Sequence, residues 1–511
     1  MEADYIVVGT GSAGSVVAAK LSADPSVTVV AVEAGPRDKD KFIHIPAGFQ
    51  KLFRSEVDWN YLTEPQKELD GREIYWPRGK VVGGSSSMNA MMWVRGFAAD
   101  YDEWGEAAGE QWNYAHLEPY LQRIENGPLS ITRQRSPRSS TTAWLAAAQE
   151  CGYRVEKPNQ AAPEGFCETL VTQRRGRRWS AADAYLKPAL KRDNLTLETE
   201  ALTTKVVFDG RRAVGVEIEQ GGTRRVIRVR REVVLCGGAI NSPQLLMLSG
   251  IGDRERLADH GIETVAHAPG VGTNLLDHLI AALGFDVPND SLFGAEKPLE
   301  LLNYFLRRRG MLTSNVGEAY GFVRSRDGLA LPDLELIFAP APFFDEGIGD
   351  PHDQHAVVLG TILLKPLSTG TIELRSADPK DKPIVDPRYL SDPDGVDRAA
   401  MMAGLRMCAT ISQAPALSDT IGRIVRPRDA TTLDDATLEQ ALTYVSHTLY
   451  HPVGTCRMGS DEASVVDPQL RVRGVEGLRV ADASVMPTII RGHTHAPAVL
   501  IGEKAADLIS A

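Results

Sequence analysis

Residues 5–8, Tyr-Ile-Val-Val, form an unbroken apolar, β-branched run. That pattern fits a strand buried on both faces of a parallel sheet. It leads into Gly9-Thr10-Gly11-Ser12-Ala13-Gly14, after which Val16, Val17, Ala18 and Leu21 recur at helical spacing. Residues 28–32 form a second strand-like run that ends at Glu33. Further on, 203–208 and 213–218 flank Asp209-Gly210, the signal of a tight hairpin turn. Residues 232–235 make another apolar strand, running into Cys236-Gly237-Gly238, with a helix expected over 242–248. From about 292 to 443 the punctuation changes: proline-rich turns separate strand-like runs at 334–338, 357–364 and 370–375. This stretch predicts a second domain on an antiparallel sheet. No internal repeat or low-complexity segment interrupts the chain.

The opening unit carries chemistry. Gly9 allows the tight turn out of the strand, Gly11 lets backbone approach a pyrophosphate, and Gly14 lets helix and strand pack closely. The helix N-terminus adds free N–H groups and the positive end of the dipole. Glu33, 24 residues after Gly9, stands where a carboxylate accepts hydrogen bonds from ribose hydroxyls. Ser12, Ala13 and Ala34 belong to the same dinucleotide site. The motif alone leaves NAD and FAD open. There is no second GxGxxG for a nicotinamide partner, since Gly270-Val271-Gly272 lacks the third glycine. If the ligand is FAD, electrons leave to oxygen, a quinone or another protein.

Composition narrows the classes. Lys and Arg number 56 against 67 Asp and Glu, a formal charge of −11, which argues against a nucleic-acid binder. Basic clusters at 174–178, 224–231 and 307–309 read as solvated faces or strand edges. Five cysteines without CxxC spacing exclude a disulfide framework and a cysteine-rich zinc site, and suit a reducing cytoplasm. No apolar run reaches the ~18 residues of a membrane span. The N-terminus carries no basic leader, so a cytoplasmic location is expected.

Four segments carry a family resemblance. Residues 79–89 (GKVVGGSSSMN), 238–252 (GAINSPQLL…SGIG), 451–459 (HPVGTCRMG) and 480–487 (VADASVMP) occur in that order along the chain. They resemble the signatures of the glucose–methanol–choline (GMC) oxidoreductases, in particular the choline-dehydrogenase-like bacterial branch. The resemblance implies an α/β, Rossmann-like FAD-binding domain and a second α+β substrate domain on an antiparallel sheet. It also implies an interrupted order: 1–155, 195–290 and 445–511 for FAD, 156–194 as a connecting segment, and 291–444 for substrate. Val82, Gly83 and Ser86 would belong to the loop that approaches the flavin, with Asn89, Ala90, Met91 and Met92 beside it. Val206 would touch the adenine through its backbone, and Asp482 and Ala483 the pyrophosphate and ribityl chain. Met88 stands where choline oxidases carry the histidine that bonds FAD covalently. A thioether cannot form that linkage, so non-covalent FAD is expected.

Three of the 11 histidines matter. The resemblance makes His451 the catalytic base and His493 the second active-site residue. His495 replaces the usual Asn or Gln, which leaves its role at the flavin open. If 493–495 is extended, the His493 and His495 rings share one side. The implied chemistry is oxidation of a primary alcohol to an aldehyde, with hydride passing to flavin N5 and the hydroxyl proton to neutral His451. Oxygen or a quinone or dye would accept the electrons. Three alternatives stand beside it: a lyase of the same fold with redox-idle FAD, a non-catalytic flavoprotein, and a metal held by His451, His493 and His495. No nearby carboxylate or cysteine pattern supports the metal. The substrate pocket is expected from the middle domain with Leu449, Tyr450, Met91, Met92 and Trp93. Glu318 is the conceivable carboxylate for a choline-like cation, though such a residue is more often solvated.

Overall fold

The computed structural model describes residues 1–344 and 352–510. Its first sheet grows from Glu2–Val8, buried at every position but the first. This strand pairs in parallel with Val29–Val32 on one side and Thr223–Leu235 on the other. Leu195–Glu198 extends the sheet beyond Val29–Val32, and Leu478–Val480 lies parallel to the end of Thr223–Leu235. Ala201–Asp209 and Arg212–Gln220 form the expected hairpin and add an antiparallel edge. The strand expected at 232–235 reaches back to Thr223, because its first half completes that hairpin. The helix Gly14–Leu21 packs against the sheet so closely that a Cβ on Gly14 would lie 1.9 Å from the Gly9 carbonyl oxygen.

The second sheet is antiparallel and has seven strands. Its order is Ile424–Arg426, Leu279–Asp286, Ala356–Leu363, Leu334–Ala339, Ala319–Val323 and Phe166–Glu168, with His447–Thr448 also beside Leu279–Asp286. Its inner strands, Ala356–Leu363 and Leu334–Ala339, are buried at every position, which is why they read as continuous apolar runs. Three strands come from outside the 291–444 segment: Leu279–Asp286 lies within 195–290, Phe166–Glu168 within 156–194 and His447–Thr448 within 445–511. The run at 370–375 does not join this sheet. Thr371–Glu373 pairs only with Ile384–Asp386. All five cysteines are free. Among the described residues no helix is long and apolar enough to cross a membrane.

Candidate active site

A cavity of about 330 Å³ runs between the two sheets, from Gly9 at one end to Phe343 at the other. At the first end two glycine loops meet: a Cβ on Gly84 would lie 2.7 Å from the Gly11 Cα. Only bare backbone fits there, and it leaves N–H groups free to approach a phosphate. Glu33 is buried at the tip of its strand. Its Oε2 accepts from the Thr10 N–H at 3.0 Å and the Thr10 hydroxyl at 2.8 Å, and its Oε1 from the Gly35 N–H at 3.0 Å. Burial raises the Glu33 pKa, against these hydrogen bonds. Asp482 follows the strand Leu478–Val480 and ties three elements together. It accepts from the Gly238 N–H (2.9 Å), the Ser242 hydroxyl (2.6 Å) and the Ser484 N–H (2.8 Å).

Most residues assigned to the cofactor reach the cavity wall: Gly9, Gly11, Ser12, Ala13, Glu33, Ala34, Asn89, Ala90, Met91, Met92, Asp482, Ala483 and His495. Five do not. Gly14 packs helix against strand. Val82, Gly83 and Ser86 lie behind the wall and hold the loop: Val82 N–H donates to the Pro36 carbonyl, Gly83 N–H to the Thr10 carbonyl, and the Ser86 hydroxyl to the Gly83 carbonyl. Gly84 and Ser85 face the cavity instead. Val206 spends its N–H on Ser249 Oγ at 2.8 Å, and Ala201, Leu202 and Thr203 of the same strand form the wall. The sequence reading missed Arg178, a fully buried guanidinium that donates to Asn89 Oδ1 at 2.7 Å and to the Ser86 carbonyl at 3.2 Å. Its pKa is pushed down to about 9 by burial. It also missed the N-terminus of helix Gly238–Leu248. The signal was present, because 232–238 repeats the strand-to-glycine turn of the first unit.

At the other end His451 and His493 face each other, ring centroids 4.8 Å apart. A third histidine stands behind them. His278 Nδ1 lies 2.9 Å from His451 Nδ1, and His278 Nε2 lies 3.1 Å from the Leu364 carbonyl oxygen. A carbonyl only accepts, so the His278 proton sits on Nε2 and its Nδ1 is a lone pair. His451 must then carry its own proton on Nδ1, which leaves Nε2 as a lone pair. Burial holds both rings neutral: His278 is pushed down to about 3 and His451 well below 6.5. Asp277, the residue before His278, accepts the His451 backbone N–H at 2.8 Å, the Thr448 hydroxyl at 2.6 Å and the Tyr389 hydroxyl. Desolvation raises Asp277 to about 6.

His493 Nε2 lies 3.0 Å from Oε1 of Glu335, a fully buried carboxylate on Leu334–Ala339 whose Oε2 has no hydrogen-bond partner. The His493 Nε2–H therefore donates to Glu335, leaving Nδ1 for the cavity. His495 is not extended alongside His493. It begins the helix His495–Ser510, and its Nδ1 lies 3.0 Å from Ser12 Oγ. Its buried Nε2 has no partner, and burial lowers its pKa to about 4. The three histidines do not form a metal cluster. The one such grouping among the described residues is Asp38, His44 and Asp183, where the Lys187 ammonium bonds both aspartates.

Phe49, Phe53, Val316, Phe343 and Phe344 line the chamber beyond the histidines, with Leu449 and Tyr450 as expected. Trp93 lies outside the wall and donates to Glu125 at 2.7 Å. Glu318 is neither solvated nor in the chamber. It is fully buried and accepts from the Ser314 and Thr141 hydroxyls, both at 2.6 Å, and from the Arg138 N–H at 2.7 Å. Met91 and Tyr450, both on the wall, hold left-handed backbone at φ +56° and +69°. Such strain collects at functional sites.

A glycine cradle with a buried carboxylate at the end of the second strand, opening onto a chamber with two opposed histidines, defines a dinucleotide-dependent oxidoreductase. The chain belongs to the GMC oxidoreductase family, whose N-terminal model matches residues 3–280 and whose C-terminal model matches 366–502. It is 40% identical to an alcohol dehydrogenase [acceptor] of Pseudomonas putida, over 99% of this chain and 95% of that one. It is also 40% identical to the mitochondrial choline dehydrogenase of Homo sapiens, over 99% and 90%. The crystal structure of pyridoxine 4-oxidase from Mesorbium loti aligns with a TM-score of 0.89 at 30% identity, over 99% of this chain and 98% of that one. The chain is thus an FAD-dependent oxidoreductase acting on CH–OH groups. The cradle fits FAD: bare backbone that phosphates could approach, a buried carboxylate at Glu33 where the motif places a ribose partner, and an unpartnered His495 Nε2 on the wall.

Proposed function

We propose that the protein oxidises an uncharged primary alcohol to its aldehyde, with His451 as the base. The observation that carries this reading is the His278–His451 contact, which fixes an unprotonated Nε2 on a neutral, buried imidazole. When bound, FAD supplies the hydride acceptor. His451 Nε2 takes the hydroxyl proton as the carbonyl forms. His493, its Nε2–H held by Glu335, packs across from His451 and helps to fix the carbon toward the flavin. Asp277 anchors the His451 backbone, so that the base is held by both its main chain and its ring. The apolar wall excludes water and suits an aromatic or aliphatic alcohol. Met88, buried on the cavity wall, supports a non-covalent cofactor. Oxygen or a quinone or dye would take the electrons, and a reducing compartment suits the five free cysteines. The test is anaerobic reduction of the bound flavin by a panel of primary alcohols. One that bleaches the parent but leaves His451→Ala oxidised, at equal flavin content, supports the reading. A flavin that no alcohol bleaches moves the assignment to a lyase.

A further inference from the structure

Ten large apolar side chains stand exposed among the described residues, and four of them sit on one ten-residue helix, Pro298–Arg307. Leu299 is 79% exposed, Leu302 55%, Phe305 56% and Leu306 74%. Leu299, Leu302 and Leu306 share one face by spacing, and Phe305 flanks them. Apolar residues scattered singly on a surface need no explanation, but a contiguous stripe does. The helix is not loose. On its inner side Tyr304 is buried with Ile45, Ala295 and Leu312, and its hydroxyl donates to the His44 carbonyl at 3.3 Å. The outer stripe has no cover within the described chain.

Charge frames the stripe. The helix runs into Arg307-Arg308-Arg309, and neither Arg307 nor Arg309 makes an ion pair with a described residue. The hairpin of Leu170–Arg174 and Arg177–Arg178 abuts them. A Cβ on Gly176, at its turn, would lie 2.7 Å from the Arg308 carbonyl oxygen and 3.2 Å from Arg135 Cδ. Exposed Arg135, Arg175 and Arg177 thus join the same rim. Two basic clusters that look like separate solvated faces in the sequence meet here, on a chain of net charge −11. The acids close by are engaged: Glu296 pairs with Lys51, and Glu300 accepts the Met311 N–H at 3.0 Å.

We propose that the helix Pro298–Arg307 docks the protein on an anionic lipid bilayer. It lies in the interface plane, its leucine and phenylalanine stripe in the acyl boundary and its arginine rim on headgroup phosphates. A second copy of the chain would cover the stripe but need not answer the arginine rim, which an anionic headgroup layer does throughout. A bilayer supplies apolar depth and counter-charge together. The inner side of the helix packs with Ile45 and Ala47, so one short segment, residues 45–49, links the docking helix to Phe49 of the chamber wall.

The test is co-sedimentation of the flavin-loaded protein with vesicles of phosphatidylcholine, with and without phosphatidylglycerol. Binding is expected with phosphatidylglycerol and weaker without it, and added salt should reduce it. Phe305→Ser with Leu306→Ser should abolish binding, as should Leu299→Ser with Leu302→Ser. Arg307→Gln and Arg309→Gln should each weaken it about five-fold. Flavin content and melting temperature should stay at parent values, since all these side chains are exposed. A parent that sediments with neither vesicle overturns the proposal, as does binding that survives loss of the apolar stripe. So does a solution dimer that Phe305→Ser with Leu306→Ser converts to monomer, which would make a second copy the occupant.

Discussion

His278 and His451 meet nitrogen to nitrogen, Nδ1 to Nδ1 at 2.9 Å, and the Leu364 carbonyl behind His278 decides which of them donates. Two neutral rings in series act as a ratchet on tautomers: one fixed proton sets the other. His278→Phe removes the acceptor and frees His451 to place its proton on either nitrogen. Flavin reduction should slow by about 10–100-fold, the usual cost of losing an orienting partner, at unchanged flavin content. Stopped-flow absorbance measures it. A parent rate in this variant would separate the two histidines functionally.

Removal of the base itself should cost more. General-base loss runs to roughly 10²–10⁴-fold. His451→Ala should therefore bind flavin normally and reduce it slower than His278→Phe does. If the order of the two variants were reversed, His451 would not be the proton acceptor.

Glu335→Gln keeps an oxygen to accept the His493 Nε2–H but removes the buried negative charge. The rate at saturating alcohol should fall about ten-fold with little change in KM, as for an interaction felt mainly in the transition state. Glu335→Leu removes the acceptor too and should lose more. Equal rates for parent and Glu335→Gln would reduce Glu335 to a hinge for the ring.

The pH dependence follows from burial. His451 acts as a base only when neutral, and its pKa lies well below 6.5, so it is already neutral at pH 7. Asp277, at about 6, must be ionised to accept the His451 N–H fully. Flavin reduction should thus be flat above pH 7 and fall as pH drops through about 6. A rate that climbs steadily above pH 7 would contradict this assignment.

Two further expectations concern ligands. Acid precipitation should release all the flavin into solution, since Met88 offers no bond to it, and a yellow pellet would refute this. Choline should bleach the flavin more slowly than benzyl alcohol, because Glu318 faces Ser314, Thr141 and the Arg138 N–H rather than the chamber. Choline as the faster substrate would mean that the aromatic wall holds the cation by itself.

The nucleotide end was legible because its logic is local: Gly9 to Glu33 is a single strand–helix–strand unit. Val206 came from the resemblance and not from local pattern. On its strand Ala201, Leu202 and Thr203 form the wall, ahead of the register shift between Thr203 and Lys205. Local motifs also gave His451 and His493. Their partners could not be found that way, since His278 lies 173 residues from His451 and Glu335 158 from His493. Glu335 did leave one trace, a lone carboxylate inside the apolar run of residues 334–338. A charge at such a position is retained only when something buried answers it.

The two histidines hang from the same scaffold. His451 is tied through Asp277 and His278 to the start of the strand Leu279–Asp286, and His493 through Glu335 to Leu334–Ala339, with one strand between these two in the second sheet. The dinucleotide cradle hangs from the first sheet. In the proposed reaction, the groups that handle the proton and the cradle that holds the electron acceptor are therefore braced by different frames. A chimera that exchanges the second sheet would replace the partners that orient His451 and His493 along with the substrate chamber, while the two rings themselves stayed behind with the electron store.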